Sequence, residues 1–309
     1  MHDSMNTTSK RINELRDIAK RVESDPSQFE NCSTPLLEKL SGMSGLKFRL
    51  LTSEIAAQMP EGNAYLELGI YQGLTPLTVA RRNPGVRVVG VDDFSQFDAD
   101  GANLKKIESA VEAFDIGNFE FFDADFERFL KTDPMGLKGR VGIYFFDASH
   151  DYRSQMLALM YAPDWLASDG IIVVDDCNYP HVRQATVDFL DTHPEYKLLC
   201  EFYTGQHPNR LAFSTPKLGF RGRLMRRIRR AVGLHKASKE QRPKPEDEHM
   251  RFCRETWWNG VNIIVHDPLN TLDPIFPYVP GDLREKFIKQ HGFAGCNAEE
   301  NKNRIAEIR

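Results

Sequence analysis

The chain has 309 residues, of which 41% are hydrophobic and 27% charged, and this composition excludes a disordered, collagen-like or small disulfide-stapled protein. Its 40 basic and 44 acidic residues give a net charge of −4, so nucleic acid is not an expected partner. The five cysteines are widely spaced, and the sequence lacks the apolar core of a signal peptide and any run of about 18 apolar residues. We therefore expect a cytoplasmic protein without a membrane span.

The N-terminal 60 residues are predicted to be helical, because Ile12, Leu15, Ile18 and Val22 recur at helical spacing. From Ala64 onward, short apolar runs alternate with longer amphipathic ones, which indicates strands alternating with helices around a parallel sheet. The predicted strands are 64–68, 86–92, 118–122, 141–147, 170–175 and 196–203, and the predicted helices are 74–82, 103–114, 125–131, 151–167 and 179–193. A last strand is expected within 257–267.

These elements predict an α/β fold with a doubly wound, Rossmann-like, mostly parallel seven-stranded sheet. We divide the chain into four parts: an N-terminal helical cap (1–60), a nucleoside-binding sheet domain (61–215), an arginine-rich insertion (216–250), and the last strand with a C-terminal helical tail (251–309). Six arginines among residues 221–230 are typical of a solvated or oligomer-packing helix. The alternatives are contact with phosphate, an anionic membrane surface, nucleic acid or an acidic partner helix. We expect a homo-oligomer.

A glycine-containing turn follows the first predicted strand. Gly69 lets the chain turn sharply, and Gly73 lets a ligand approach the backbone where the next helix begins. Glu67 occupies the place where a dinucleotide fold has its first glycine, and a carboxylate there repels a pyrophosphate but can receive an amino group. Asp92 ends the second strand, where an acidic residue accepts hydrogen bonds from ribose hydroxyls. The simpler alternative is that both glycines only close a tight turn.

The segments YLELGIYQG, VVGVD and FFDADFE resemble the first three motifs of class I S-adenosylmethionine-dependent methyltransferases. By this resemblance, Glu67, Gly69 and Gly73 surround the methionine part of S-adenosylmethionine, and Asp92 binds its ribose. Asp125, or alternatively Asp123, lies near the adenine, although either residue is also suited to cap the next helix. Two more residues are assigned to the cofactor by the same resemblance: Tyr71 and Asp147.

Acidic residues also follow the fourth and fifth strands. Because neighbouring parallel strands end at the same edge of a sheet, we expect Asp147 to lie beside Asp175 and Asp176. Three carboxylates packed this closely need a proton or a cation, and oxygen ligands favour a hard ion such as Mg²⁺. His150 has a suitable ordinary pKa to take a proton from a substrate hydroxyl. Helix capping and turn chemistry are the alternative for these acids.

FFDASHDY followed by VVDD resembles the DxxH and paired-acid motifs of metal-dependent O-methyltransferases that act on macrolide sugars. The resemblance implies His150 as general base and Asp147, Asp175 and Asp176 as ligands of a divalent metal. We therefore expect O-methylation of a small hydroxylated acceptor, such as a sugar, a polyol or another natural product. Two alternatives are an NAD-dependent oxidoreductase and a non-catalytic nucleoside-binding scaffold.

Overall fold

A computed structural model describes residues 2–26, 36, 40, 42–98, 100–202 and 257–272. The predicted insertion at 216–250 and most of the predicted C-terminal tail lie outside the described residues. In the described part, no helix is long and apolar enough to cross a membrane.

Seven strands alternate with seven helices in the described residues. The strands are β1 (Ala64–Leu68), β2 (Arg87–Asp92), β3 (Phe119–Asp123), β4 (Val141–Phe146), β5 (Leu166–Asp175), β6 (Tyr196–Phe202) and β7 (Val261–His266). The helices are α1 (His2–Ser24), α2 (Leu46–Ala56), α3 (Leu74–Arg82), α4 (Asn103–Ala113), α5 (Phe126–Thr132), α6 (Tyr152–Trp165) and α7 (Pro180–Thr192). Every predicted strand and helix of the sheet domain is confirmed within a few residues at each end.

The junction between α6 and β5 corrects the predicted boundaries of both elements. The helix was expected to run to residue 167 and the strand to begin at 170, whereas α6 ends at Trp165 and β5 begins at Leu166. Pro163 lies within the last turn of α6 and cannot donate a backbone hydrogen bond, and Leu166 is already extended and paired with Val141 of β4. Pairing with the neighbouring strand therefore overrides the helical pattern of this segment.

The seven strands form one sheet in the order β3-β2-β1-β4-β5-β7-β6. The first five strands in the chain are parallel to one another, and β7 lies antiparallel between β5 and β6. The predicted doubly wound, mostly parallel seven-stranded fold is confirmed. The order places the carboxyl ends of β1 and β4 side by side at the centre, where open α/β sheets bind their ligands.

Alternate residues of the strands belong to two separate hydrophobic cores, one on each face of the sheet. On one face, Tyr65 and Phe145 pack with apolar residues of α1, α2, α3 and α4. On the other face, Leu66 and Tyr144 pack with those of α5, α6 and α7. Because both faces are covered, the central strands are mostly apolar, as is usual for parallel sheets.

The N-terminal helices are anchored to the first of these faces. The Glu23 carboxylate near the end of α1 accepts hydrogen bonds from Lys47 of α2 at 2.9 Å and from the Trp257 indole at 2.6 Å. Trp257 also stacks on Phe202, with ring centroids 3.9 Å apart. The N-terminal segment is thereby connected to the loop that leads into β7.

Candidate active site

A cavity of about 280 Å³ opens at the carboxyl ends of β1, β2, β4 and β5. Its lining combines the glycine turn after β1, the loop after β2, the acidic ends of β4 and β5, and two segments distant in sequence, 42–44 and 258–259. The predicted residues Glu67, Gly69, Tyr71, Asp92, Asp125, Asp147, His150, Asp175 and Asp176 all line it. Gly73 lies at the start of α3, between the lining residues Tyr71 and Leu74.

Gly69 joins the ends of the two central strands. Its φ is +88°, and a Cβ at this position would collide with the backbone carbonyl of Asp147 and lie 2.6 Å from the Cα of Ala148. The Asp147 amide donates to the carbonyl of Leu68 at 2.8 Å, which holds β4 against this turn. Only glycine fits here, because both the conformation and the space exclude a side chain.

Asp92 fixes the glycine turn from the neighbouring strand. Its Oδ2 accepts hydrogen bonds from the amides of Ile70 and Tyr71, both at 2.9 Å, and its Oδ1 accepts one from Phe94 at 2.8 Å. An ionised carboxylate has about four acceptor positions, so Oδ1 retains capacity for a further donor. The carboxylate orders the turn and lies beside the cavity.

Glu67 is buried at the cavity floor, with 1% of its surface exposed. Burial raises its pKa well above the usual value, the hydrogen bond from Tyr65 opposes this effect, and the charges of Asp175 and Asp92 add to it. The Tyr65 hydroxyl donates to Glu67 Oε2 at 2.5 Å. A buried carboxyl group of this kind is stabilised as its anion when a cation approaches.

Asp147 and Asp175 meet at the adjoining ends of β4 and β5, as the strand order requires. Their carboxyl groups lie close enough for each to shift the pKa of the other. Burial, followed by the charges of Asp175, Asp176 and Glu67, raises the pKa of Asp147 well above its usual value. Burial and the charge of Asp176 raise the pKa of Asp175 to about 7. Among the described residues, Asp175 Oδ1 is buried without a hydrogen-bond partner.

His150 faces Asp176 more closely than it faces Asp147. Its Nε2 lies 2.8 Å from Asp176 Oδ2 and 3.9 Å from Asp147 Oδ1. Burial alone would lower the pKa of His150, but the hydrogen bond to Asp176 and the surrounding carboxylates together raise it. The φ of Asp176 is +58°, a left-handed conformation that aspartate tolerates better than most residues and that turns its side chain toward His150.

Trp258 and Asn259 form a wall beside these acids. They precede β7, and their loop is held by hydrogen bonds from the Asn178 amide to the Asn259 carbonyl at 2.8 Å and from the Cys177 amide to the Gly260 carbonyl at 3.4 Å. Asn259 lines the cavity, and its side-chain Oδ1 is buried with no hydrogen-bond partner among the described residues.

Residues 66–177 match the family described as a methyltransferase domain. The match spans β1 to the end of β5 and includes the glycine turn, both acidic strand ends and His150. The matched segment, 112 of the 309 residues, is similar to a methyltransferase domain. No curated protein matches the chain significantly.

Solved methyltransferases and a further protein share parts of this fold at low identity. The O-methyltransferase TomG from Streptomyces achromogenes, in complex with SAM, is 12% identical over 71% of this chain and 77% of its own, with a TM-score of 0.42. Coclaurine N-methyltransferase, bound to N-methylheliamine and SAH, is 15% identical over 83% of this chain and 87% of its own, with a TM-score of 0.41. A Corynebacterium glutamicum protein is 8% identical over 85% of this chain and 98% of its own, with a TM-score of 0.48. Likenesses this weak say nothing about the acceptor.

Asp125, within the segment that matches the methyltransferase family, is the N-cap of α5. Its Oδ1 accepts hydrogen bonds from the amides of Glu127 at 2.9 Å and Arg128 at 3.2 Å, as the capping alternative anticipated. It also lines the cavity, so a contact with adenine stays a prediction. Asp123, the other candidate, ends β3 and does not line the cavity.

The predicted metal ligands are adjacent but do not surround a common point. Within the described residues, no three His, Cys, Asp or Glu side chains are arranged so that they could hold a metal ion as they stand. Asp176 is paired with His150, and Asp147 lies beside Asp175. The divalent metal therefore stays a prediction.

Several cavity residues were not anticipated from the sequence. Ser44 and Asn259 line the cavity, and Tyr65 contacts Glu67 from below. The positions of Tyr152 and Tyr179, just beyond the acids, make both candidates for lining an acceptor pocket or for packing. Tyr179 lines the cavity, and its ring stacks near His150 with centroids 6.4 Å apart. Tyr152 donates to Asp188 at 2.7 Å and is not among the lining residues. The contact of Tyr65 with Glu67 could have been predicted, because residues two apart on a strand lie on the same face.

Proposed function

We propose that this protein transfers the methyl group of S-adenosylmethionine to a hydroxyl group of a small molecule. The observation that carries this proposal is the position of His150: a histidine paired with a buried carboxylate opens into the same cavity as the methyltransferase glycine turn. The sheet, the family match and the glycine turn support the cofactor. The paired histidine supports the hydroxyl acceptor.

A histidine base is more useful to a hydroxyl than to an amine. A neutral amine attacks through its lone pair, whereas a hydroxyl becomes a strong nucleophile only when its proton leaves. In the proposed reaction, neutral His150 takes that proton while the hydroxyl oxygen attacks the sulfonium methyl group in line with the departing sulfur. Asp176, 2.8 Å from Nε2, stabilises the imidazolium that forms.

The cofactor is proposed to lie along the carboxyl ends of β1 and β2. Glu67, Gly69, Tyr71 and Gly73 border its methionine part, and Asp92 receives its ribose hydroxyls. Asp125 is proposed on the adenine side and Asp147 near the reacting sulfur. These placements follow the predicted roles, and the shared cavity supports them.

A divalent metal such as Mg²⁺ is part of the same proposal, with Asp147, Asp175 and Asp176 as its ligands. The donor set fits a hard cation, because three carboxylates lie close together and Asp175 Oδ1 is buried without a hydrogen-bond partner among the described residues. Reorientation of these side chains is required, since they do not surround a common point. When bound, the ion would polarise a substrate hydroxyl and lower its pKa.

Calorimetry with S-adenosylmethionine, S-adenosylhomocysteine and NADH tests the cofactor. We expect micromolar binding of the two sulfur nucleosides and none of NADH. Binding of NADH alone would instead favour an oxidoreductase on the same sheet. Binding of the sulfur nucleosides without turnover of any hydroxylated acceptor would favour a nucleoside-binding scaffold.

The His150→Ala variant tests the base. We expect turnover of a hydroxylated acceptor to fall by at least about a hundredfold, because positioned general bases typically contribute that much. Binding of S-adenosylhomocysteine should stay within twofold, and this is the control for folding. Turnover within threefold of the parent protein would contradict the role of His150. Activity unchanged by a chelator would contradict the metal.

A further inference from the structure

Two exposed apolar side chains border the cavity. Within the described residues, four large apolar side chains are exposed: Met43 by 43%, Phe97 by 72%, Met160 by 48% and Leu269 by 42%. Met43 and Phe97 are among the residues that line the cavity, whereas Met160 and Leu269 are not. Single exposed apolar residues are ordinary, but a group of them beside a binding cavity indicates a contact surface.

The exposed Phe97 is held in a strained backbone conformation. Its φ is +57°, a left-handed value that is rare for an aromatic residue. The Phe97 carbonyl accepts a hydrogen bond from Asn103 Nδ2 at 3.3 Å, and Asn103 Oδ1 accepts one from Gln72 Nε2 in the glycine turn at 2.9 Å. Because strain of this kind persists only where the surrounding contacts impose it, it indicates a functional position.

Phe94, in the same loop, has a positive φ that folding explains. Its φ is +50°, and its ring stacks on Phe121, with centroids 5.3 Å apart, and packs against the core. The Phe97 ring instead contacts Tyr71 edge-on, with centroids 6.4 Å apart, while most of its surface lies in solvent. Packing of the core therefore accounts for Phe94 and not for Phe97.

Met43 and Phe97 approach the glycine turn from two different segments. Phe97 contacts Tyr71 within the turn. Gly42, next to Met43, packs so closely on Leu74 that a Cβ at Gly42 would collide with the leucine side chain. We call Met43, Tyr71 and Phe97, all of which line the cavity, the apolar rim.

The rest of the lining has the opposite character. It includes no lysine or arginine among the described residues and seven acidic residues: Glu67, Asp92, Asp93, Asp125, Asp147, Asp175 and Asp176. An apolar group is disfavoured beside carboxyl groups, because they would lose water without gaining a hydrogen bond, whereas a hydroxyl group can donate to them. A bound molecule therefore places its hydroxyl groups at the acids and an apolar part at the rim.

The size of the cavity indicates that the acceptor reaches the rim. Its volume of about 280 Å³ lies just below the range of about 300–1,000 Å³ that is usual for a pocket holding one small molecule. Methyl transfer requires the cofactor and the acceptor to be bound together, so both cannot be enclosed. The part of the acceptor that is remote from the reacting hydroxyl then lies at the mouth of the cavity.

We propose that the acceptor is amphiphilic, with a hydroxylated head beside His150 and an apolar body that packs on the Met43 and Phe97 side chains. Met43 and Phe97 are thereby specificity-determining residues. The inference rests on the proposed function, and it specifies the class of molecule that this function acts on.

Two diols with the same hydroxylated head measure the contribution of the apolar body. Octane-1,2-diol has five more methylene groups than propane-1,2-diol, and each methylene group removed from water strengthens binding about fourfold. We expect calorimetry with protein saturated with S-adenosylhomocysteine to show at least about tenfold tighter binding of octane-1,2-diol, since burial of two methylene groups is sufficient.

Two variants remove the apolar side chains of the rim. Phe97→Asn and Met43→Ser should each reduce the preference for octane-1,2-diol at least about threefold, with affinity for S-adenosylhomocysteine within twofold of the parent protein. Asparagine tolerates a left-handed conformation, so the urea midpoint of Phe97→Asn should be unchanged or higher. Phe97→Leu keeps an apolar side chain and should retain most of the preference.

Met160→Ser is the matched control. Met160 is about as exposed as Met43, but it lies on α6 and is not among the lining residues. This variant should keep the full preference for octane-1,2-diol. An equal loss of preference in Met160→Ser and Met43→Ser would show adsorption to the surface and would overturn the inference.

Other results would also overturn the inference. They are equal affinities of the parent protein for the two diols, binding of neither diol, and an unchanged preference in Phe97→Asn and Met43→Ser. Weaker binding of S-adenosylhomocysteine by Phe97→Asn would assign the ring to the cofactor instead, and a lower urea midpoint would assign it to folding. Failure of the parent protein to bind S-adenosylhomocysteine would refute the proposed function itself.

Discussion

Replacing Gly69 with alanine tests the close approach of β1 and β4. Gly62, which lies two residues before β1, is the control. The two glycines have nearly the same φ, +88° at Gly69 and +89° at Gly62. A Cβ at Gly69 would collide with the Asp147 carbonyl and lie 2.6 Å from Ala148 Cα, whereas one at Gly62 has nothing within 4 Å. The two variants therefore share the conformational strain and differ in the collision.

The expected magnitudes follow from these two contributions. Alanine in a left-handed conformation costs about 1–2 kcal/mol in either variant. At Gly69, the collision involves backbone atoms that cannot rotate away, so overpacking adds about 1–3 kcal/mol. Relief would require the ends of the central strands to separate, which would also displace Asp147 from Asp175.

Urea denaturation and calorimetry with S-adenosylhomocysteine measure the two effects. Gly62→Ala should lose about 1–2 kcal/mol of unfolding free energy with unchanged affinity. Gly69→Ala should lose about 2–5 kcal/mol and bind at least tenfold more weakly. Equal unfolding free energies of the two variants would refute the reasoning, because the collision would then cost nothing.

Two further predictions concern Glu67 and Asp125. Because burial raises the pKa of Glu67 and protonation removes its charge, affinity for S-adenosylhomocysteine should increase as pH rises through that pKa, as measured by calorimetry over the pH range in which the ligand amine stays protonated. Glu67→Gln should bind with no such dependence, and a persisting dependence would exclude Glu67 as its source. Asp125→Ala should lose about 1 kcal/mol of unfolding free energy, because two amides of α5 lose their acceptor. Urea denaturation of both Asp125→Ala and the control variant Asp123→Ala measures this loss. Equal losses of unfolding free energy in the two variants would argue against Asp125 as the N-cap of α5.

The sequence allows the juxtaposition of Asp147 and Asp175 to be predicted because strand order alone determines it. Parallel neighbours end at one edge, so the alternation of strands and helices was sufficient. The pairing of His150 with Asp176 was not predictable, because it depends on the left-handed conformation of Asp176. Aspartate occurs in several backbone conformations, and nothing in the local sequence selects this one.

The two cavity segments that are distant in sequence, 42–44 and 258–259, could not be predicted from the sequence. Ser44 reaches the glycine turn through the packing of α2 on the sheet, and Asn259 reaches the acidic edge because β7 inserts beside β5. Both positions depend on contacts between residues far apart in the chain. A pattern of local spacing carries no information about such contacts, whereas it was sufficient for the turn between Glu67 and Gly73.

The position of β7 between β5 and β6 has a consequence for partial chains. A nascent or truncated polypeptide that ends at residue 202 contains β6, but the strand that pairs with it begins only at Val261. Until then, β5 presents its apolar residues Ile171–Val174 at an open sheet edge, which is a template for pairing with other chains. Arrival of β7 closes this edge and also brings Trp258 and Asn259 to the cavity. A single late event in synthesis thus ends the risk of aggregation and completes the binding site.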